Sequence, residues 1–405
     1  MTTICTIARK EWRETWRDGR VRVVTALVWL LAAAAMAAGW QQATRVAAEH
    51  AEAQRATREQ WVNQPAKNPH SAAHYGIYAF RPQSPLAAVD PGVDPYVGVA
   101  AWLEAHRQNE FRFRPAADRA DVQRFGDLTG AFVLQTLLPL VVIMLAFGSV
   151  AGEREAGTLR QVLSVGVSPV RLMMGKVAGV SAVLAVAVVP AVIAGGLAIR
   201  WAHVTRVWDH DMGRTAVLMA VYLAWALLWV VLALVVSVWA RTTRTALVVL
   251  LAIWMGWVIV APRLASEVAA RLYATPSAVA FERAIDEDLA DRTALDRQLD
   301  QRRREAYAAH GVSSDADLPF AFAGISLQES EEHANVVYDR HFGRLHETFE
   351  RQNAVTRLAG VVVPSLAVRA LSMGLAGTDF AHHRCSSSRS RSTCWPPTAS
   401  AARSR

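Results

Sequence analysis

Apolar residues fall along this chain in long uninterrupted blocks rather than in short alternating stripes. The segments 23–40, 128–151, 177–199, 215–240 and 245–262 contain no Asp, Glu, Lys or Arg. A helix rises about 1.5 Å per residue and a hydrocarbon core is about 30 Å thick, so about 20 apolar residues cross it. A charge at mid-bilayer costs about 2.5–3.5 kcal/mol on insertion scales, and five charge-free runs of this length therefore predict five spans. Pro139 and Pro190 lie inside the second and third runs. In water they would break a helix; in a bilayer, neighbouring helices re-satisfy the freed carbonyls. Ala35-Met36-Ala37 resembles a signal-peptide cleavage site. The preceding stretch, however, is long and carries Glu11, Glu14 and Asp18, and the apolar run exceeds the usual 7–15 or so residues of a signal core. Retention of the first span is expected.

Composition sharpens this picture. Of 405 residues, 53% are hydrophobic and 19% charged, too apolar for an ordinary soluble chain of this length, yet a mean hydropathy of +0.17 leaves room for sizeable polar segments. The net charge of +8 comes from Lys and Arg that are not gathered on one aromatic-interleaved face, so nucleic acid is not an expected partner. Cys5, Cys385 and Cys394 form neither a disulfide framework nor a CxxC metal pattern. Basic residues cluster in the segment before span one (Arg9, Lys10, Arg13, Arg17, Arg20, Arg22), in the 152–176 loop (Arg154, Arg160, Arg171, Lys176) and between spans four and five (Arg241, Arg244). These all lie on one side if the spans alternate, which the positive-inside rule assigns to the cytoplasm.

The opposite side receives 41–127, a short loop at 200–214 and the chain from 263. Positions 43–61 are rich in helix formers, so helix one should project beyond the membrane. The Pro-rich stretch 65–95 offers Tyr75, Tyr78 and Phe80 for a small core. Phe281, Ile285, Leu289, Leu295 and Leu299 form one apolar stripe, and Ala334, Tyr338, Phe342, Leu345 and Phe349 another. With Gly311 to Pro319 between them, an extracytoplasmic helical hairpin over 263–357 is predicted. The fold expected is an all-α integral membrane protein with five or six transmembrane helices and mainly helical extracytoplasmic segments.

Candidate chemistry is sparse. His333, His341 and His346 lack the i, i+4 spacing of a zinc helix, and adjacent His382 and His383 diverge by about 100° on a helix. No G-x-x-x-x-G-K-[ST], G-x-S-x-G or H-E-x-x-H occurs in the sequence, so the chain carries no P-loop of its own, and no catalytic residue, metal site or bound cofactor is expected. The informative stretch follows span two. It reads Glu153-Arg154-Glu155-Ala-Gly157-Thr158-Leu159-Arg160-Gln-Val162-Leu163-Ser164, then Ser168-Pro169-Val-Arg171, then Gly175-Lys176 ahead of span three. Positions 153–164 are helix-competent, and Ser168-Pro169 resembles the capped start of a second short helix. By physics alone this is either an amphipathic connector or a docking segment.

The ordered pattern E-R-E-x-G-T-L-R-x-x-L-S, S-P-x-R, G-K resembles the cytoplasmic coupling segment of ABC-2 type transporter permeases. The N-terminal I-A-R-K-E-W-R-E (7–14) is similar to the interfacial elbow helix of that family, with Ile4, Ala8, Trp12 and Trp16 on one face; Trp12 and Trp16 suit membrane-interface anchoring. The long segment between spans one and two, and A-G-T-D-F-A-H-H at 376–383, resemble a subgroup with large extracytoplasmic segments. The resemblance implies a non-catalytic permease subunit of an exporter in a bacterial inner membrane, N-terminus cytoplasmic. Such a subunit pairs with a second permease subunit and docks a separate cytoplasmic ABC ATPase, which binds the ATP. Glu153, Glu155, Arg160 and Arg171 would then contact the ATPase, while Gly157 and Thr158 shape the turn. The alternative is a membrane-anchored envelope assembly or scaffold protein whose hairpin binds a partner without transport. A membrane-embedded enzyme fits poorly, since no acid or His pair lies in the five runs.

Toward the C-terminus, 358–378 is mostly apolar but interrupted by Pro364 and Arg369. Ser365, Arg369, Ser372 and Ala376 share a face, which suits a membrane-surface helix better than a sixth span. From Arg384 the composition switches to Arg, Ser and Cys with no acid. The expectation is a disordered basic tail over 384–405, produced by a shifted reading frame or native to the chain.

Overall fold

The computed structural model describes residues 2–68, 71–72, 74–80, 84–98, 100–104, 111–112, 128–202 and 208–387. The basic tail beyond 387 lies outside the described residues. Helix α1 (Thr2–Arg17) ends at a bend at Asp18, and α2 (Gly19–Val62) runs 44 residues without a break. At about 1.5 Å per residue α2 is about 66 Å long, twice a hydrocarbon core, so the first span does project well beyond its apolar run. Beyond it lies an element that periodicity did not reveal, a three-stranded antiparallel sheet of β1 (Ile77–Phe80), β2 (Ala100–Leu103) and β3 (Phe111–Arg112). Tyr78 pairs with Trp102 in register and their rings meet edge-on at 4.7 Å, while Phe80 stacks on His50 of α2 at 4.0 Å. Of the three aromatics expected to form this small core, Tyr78 and Phe80 take part and Tyr75 stays exposed beneath Lys67.

Among the described residues, five helical stretches are long and apolar enough to cross a membrane: Val21–Val62, Gly130–Glu155, Pro169–Pro190, Met212–Trp239 and Thr243–Leu272. In chain order the elements are α3 (130–146), α4 (Ala151–Glu155), α5 (Thr158–Ser164), α6 (Pro169–Ala202), α7 (Trp208–Trp239) and α8 (Thr243–Leu272). Helices α3 and α8 each contain one π turn, Val133–Leu137 and Met255–Val260, and Pro139 and Pro262 stand two positions after the ends of these turns. The widened turn takes up the missing proline N–H, so neither helix breaks. Ser168 caps the start of α6 as expected, with its Oγ accepting from Arg171 N at 3.4 Å. The helix it begins is not a separate short one, however, and continues straight into the third span. Pro190 is carried inside it.

The buried centre of the bundle lies on α3, α6 and α7. Ile143, Val142, Val180, Val183, Trp229 and Val230 have no exposed surface. Trp225, Trp229 and Trp257 form an edge-to-face series with centroids 5.6 and 6.0 Å apart. Trp254 donates its indole N–H to Thr136 O, fixing α8 on α3 without leaving a polar group in hydrocarbon.

The hairpin after α8 is present as α9 (Ala278–Ala290), α10 (Thr293–His310) and the long return helix α11 (Phe322–Ala359). Ile285, Leu295 and Leu299 are buried, and Phe281 meets Phe342 edge-on at 5.1 Å. The stripe on the outgoing side is split between two helices because the chain breaks at Asp291-Arg292. His341 is taken up by Asp288 at 2.8 Å, and His346 packs against Phe380.

After α11, a tight turn at Gly360 leads to α12 (Pro364–Ala376) and α13 (Phe380–Ser387). At 13 residues α12 is about 20 Å long. Its small-residue face packs inward, burying Ser365, Ser372 and Ala376, whereas Arg369, expected on the same face, is exposed. Ser365 Oγ donates to Trp257 O, so the start of α12 lies at a depth within the apolar run of the fifth span.

Leu299→Ala should destabilise the hairpin by about 2–4 kcal/mol, as core truncations do. Limited proteolysis should then cut faster within 293–310 and leave the bundle intact; an unchanged cleavage rate would contradict this packing. The His346 imidazole is held below its ordinary value by burial first and by Arg384 second, against the pull of Glu350. A depressed folded value means that stability is present above the unfolded pKa of about 6.5 and lost as pH falls through it toward the folded value. The hairpin should therefore melt earlier at pH 5.5 than at pH 7.5, and His346→Gln should flatten that difference.

Candidate functional site

The stretch singled out by sequence folds into two short helices joined by a left-handed glycine. Gly157 sits at φ +76° with open space around it, and Thr158 Oγ1 closes the preceding turn on Glu153 O at 3.2 Å. A β-carbon would be strained in that backbone region, so glycine is what permits the sharp reversal from α4 to α5.

Helix α4 is only five residues long, and its three consecutive charged residues point to three different places. Glu153 Oε1 receives Lys10 Nζ at 2.6 Å and Lys176 Nζ at 3.0 Å. Arg154 donates to the carbonyls of Val238 and Ala240, the orphaned acceptors at the end of α7. Glu155 accepts from Thr243 N at 3.1 Å and Thr243 Oγ1 at 3.0 Å, capping the start of α8 where the helix dipole favours an anion. A fourth tie comes from Ser237, whose hydroxyl donates to Phe147 O and accepts from Val150 N and Ala151 N. One turn of helix is thereby fixed to α1, α6, α7 and α8 at once.

Lys176 is the centre of this arrangement. Its side chain is fully buried and its ammonium has three acceptors: Glu11 Oε1 at 2.5 Å, Ser149 O at 2.8 Å and Glu153 Oε1 at 3.0 Å. An ammonium has three protons, and each is satisfied. Lys10 and Glu11 come from α1, which lies directly against α6 because the residues flanking Lys176 are Gly175 and Gly179. A Cβ on Gly175 would fall 2.6 Å from Ile7, and one on Gly179 would fall 2.5 Å from Glu11 Cβ. Small residues four apart let two backbones approach this closely in a membrane. Burial pulls the Lys10 ammonium down, but the Glu153 carboxylate outweighs it and holds Lys10 above its ordinary value. Burial likewise pushes the Glu11 carboxyl up against the pull of Lys176.

The expected site residues thus divide into two groups. Glu153, Arg154, Glu155 and Lys176 are engaged within the chain, and Gly157 and Thr158 shape the turn. Arg160, Ser168, Pro169 and Arg171 are exposed, with Leu159 half-buried. Leu163, Val165, Val170 and Met174 add exposed apolar surface to that second group, Val165 being 76% exposed. Trp12 and Trp16 stack in parallel at 5.9 Å and are partly buried against the bundle core. Sequence reasoning missed Glu11, Ser237, Thr243 and the Gly175–Gly179 pair. A signal existed: Glu11 falls on the same α1 face as Ile4, Ile7 and Ala8, an acid on an otherwise apolar line. Beside this site, along the start of α6, runs an open groove of ≈ 500 Å³ at Pro169, Val170, Met173, Met174, Val177 and Ala178, without a charged side chain.

Lys176→Met alone leaves the Glu11 carboxylate buried without its cation, while Glu153 keeps Lys10, and should cost about 3–5 kcal/mol. Pairing it with Glu11→Met removes that stranded charge and should recover most of the loss in thermal unfolding of the purified protein. A double variant no more stable than the single one would show that the pair is not the determinant.

Comparison with protein families places the chain. A search of curated proteins finds no match. Residues 278–386, covering the hairpin, α12 and most of α13, match a domain of unknown function, DUF3526. Residues 5–289, more than two-thirds of the chain and including α1, the five spans and the clamped α4–α5 segment, match the model described as ABC-2 family transporter protein. This multi-pass membrane protein belongs to the ABC-2 transporter family.

Proposed function

We propose that the chain is the permease subunit of an ABC-type exporter, driven by ATP hydrolysis in a separate ATPase subunit. The observation that carries this reading is the division of labour in the 153–171 segment. Glu153, Arg154 and Glu155 fix it to four helices of the bundle, and the stretch from Arg160 to Arg171 stands free with exposed aliphatics and two arginines. A segment rigidly tied behind and bare in front is built to receive force and pass it on. In this reading the face carrying α1 and α5 is cytoplasmic, as its basic loops favour in a bacterial inner membrane. The ATPase docks on Leu163, Val165, Val170, Arg160 and Arg171, while Glu153 and Glu155 act behind the contact. The assembly is completed by a second permease subunit, and ATP is bound by the partner ATPase. Coupling then rests on different contacts in the two states of that ATPase, transmitted through α4.

Val165→Asp combined with Arg171→Glu tests the docking surface. With the neighbouring ATPase co-expressed, recovery of the ATPase with the purified full chain should fall by at least about tenfold, as expected when an apolar anchor and a charge are both reversed. Membrane insertion should be unaffected. Equal recovery would overturn the assignment of this surface.

A further inference from the structure

Between Arg357 and Arg369 lie eleven residues without Asp, Glu, Lys or Arg. They comprise the end of α11, the turn 360–363 and the first part of α12. A bilayer needs about 20 apolar residues to cross, and a run of about 10–14 suits a buried core segment or one that enters a membrane and returns. Leu366 and Val368 are buried against the bundle, but Leu358, Val361 and Val362 stand clear of it, each at least 74% exposed.

Contacts at both ends of α12 fix the depth of this turn. Ser365 Oγ donates to Trp257 O. Trp257 lies five residues before Pro262, where the fifth apolar run ends, and so about 7–8 Å inside it at helical rise. At the far end of α12, Arg214 of α7 donates to Gly374 O at 3.0 Å, and Arg214 immediately precedes the fourth apolar run. That end is also held by Ser372, whose Oγ donates to Asp90 Oδ2 at 2.5 Å and lies 2.8 Å from Tyr222 OH. Nine residues separate Ser365 from Gly374, about 13–14 Å of helix, so α12 climbs from within the apolar layer to its edge remote from α1. Helix α11 comes down to the same turn from outside the layer, where Gln352 donates to Tyr273 O beyond the fifth run. The turn is thus the low point of two helices that both lead outward.

A turn set in hydrocarbon must satisfy its own backbone donors. Gly360 N donates to Thr356 O and Arg357 O, Val361 N to Leu358 O, and Val362 N and Val363 N to Ala359 O. Position 364 is proline and has no N–H. Every backbone N–H from 360 to 364 is thereby paired or absent.

We propose that the 358–363 turn is a membrane-inserted tip, with Leu358, Val361 and Val362 lying among acyl chains of the leaflet remote from α1. The occupant is lipid because the tip sits at the depth of Trp257, beside the lipid-facing surface of the fifth span. Arg357 and Arg369, both exposed, bracket the tip and reach back to headgroup level, which limits how far it enters. This is a dip into one leaflet, distinct from a helix lying flat and from a sixth span. The inference needs only that the chain crosses a membrane and is independent of the ATPase docking proposed above.

The test uses the full chain with Cys5, Cys385 and Cys394 replaced by Ser and one cysteine introduced by Val361→Cys, Val362→Cys or Asn353→Cys. All three positions are exposed, so a spin label disturbs no packing. In phosphatidylcholine–phosphatidylglycerol nanodiscs, collisions of the label with oxygen are compared with collisions with a water-soluble nickel chelate. Relative to position 353, the oxygen-to-nickel ratio at 361 and 362 should rise about tenfold or more, since hydrocarbon excludes a polar chelate. Val361→Asp with Val362→Asp, read by a label at Leu358→Cys, should return that position to nickel, because charges draw the tip back to the headgroups. Nickel access at 361 and 362 equal to that at 353 would overturn the proposal. Low collision with both reagents would mean that protein covers the tip, a second copy if the spectra sharpen on dilution with unlabelled chain, and would overturn it equally. None of these outcomes bears on whether an ATPase binds at the opposite end.

Discussion

An ammonium group with no contact to solvent can persist only where carboxylates and carbonyls replace its water. Lys176 meets that condition between Glu11, Glu153 and Ser149 O, and much of the architecture at that end of the molecule follows. To bring Glu11 within 2.5 Å, α1 must lie against α6, which requires Gly175 and Gly179. To bring Glu153 in, the chain must turn immediately after the second span, which sets α4 under the bundle. Once α4 is there, Arg154 and Glu155 have the end of α7 and the start of α8 within reach.

This constraint also separates two kinds of charged residue within one motif. Buried or half-buried charges are costly to leave unpaired, whereas exposed ones contribute little to stability and are free to meet a partner. Arg160 and Arg171 are of the second kind and Glu153 and Arg154 of the first, while Glu155 is exposed yet engaged as the cap of α8. A motif read as a single docking surface is therefore two layers, one that anchors and one that presents.

The remote end of the bundle uses polar groups in another way. There the interactions are hydroxyls and a carboxylate between packed helices, and the helix they hold is short and bounded by glycines. Aromatic and aliphatic packing fixes the centre at Trp229, Val180 and Val183. Apolar packing thus dominates the middle of the molecule, ion pairs one end and hydrogen bonds the other.

The five spans were legible in the sequence because each is set by a local property, a charge-free run long enough to cross a bilayer. The hairpin was legible for the same reason, as stripes such as Tyr338–Phe342–Leu345 repeat at helical period. The partners of Glu153, Arg154 and Glu155 were not, since Lys10, Ala240 and Thr243 are distant in sequence and the choice among several nearby basic and polar groups depends on how α1 packs on α6. Nor was the small sheet, whose strands of two to four residues are too short for alternation to register and are held by pairing with one another and with α2. The sequence by itself determined which segments leave water. Only the tertiary structure decided which buried charges meet, because a charge can be paired only by what packing brings within a few ångströms of it.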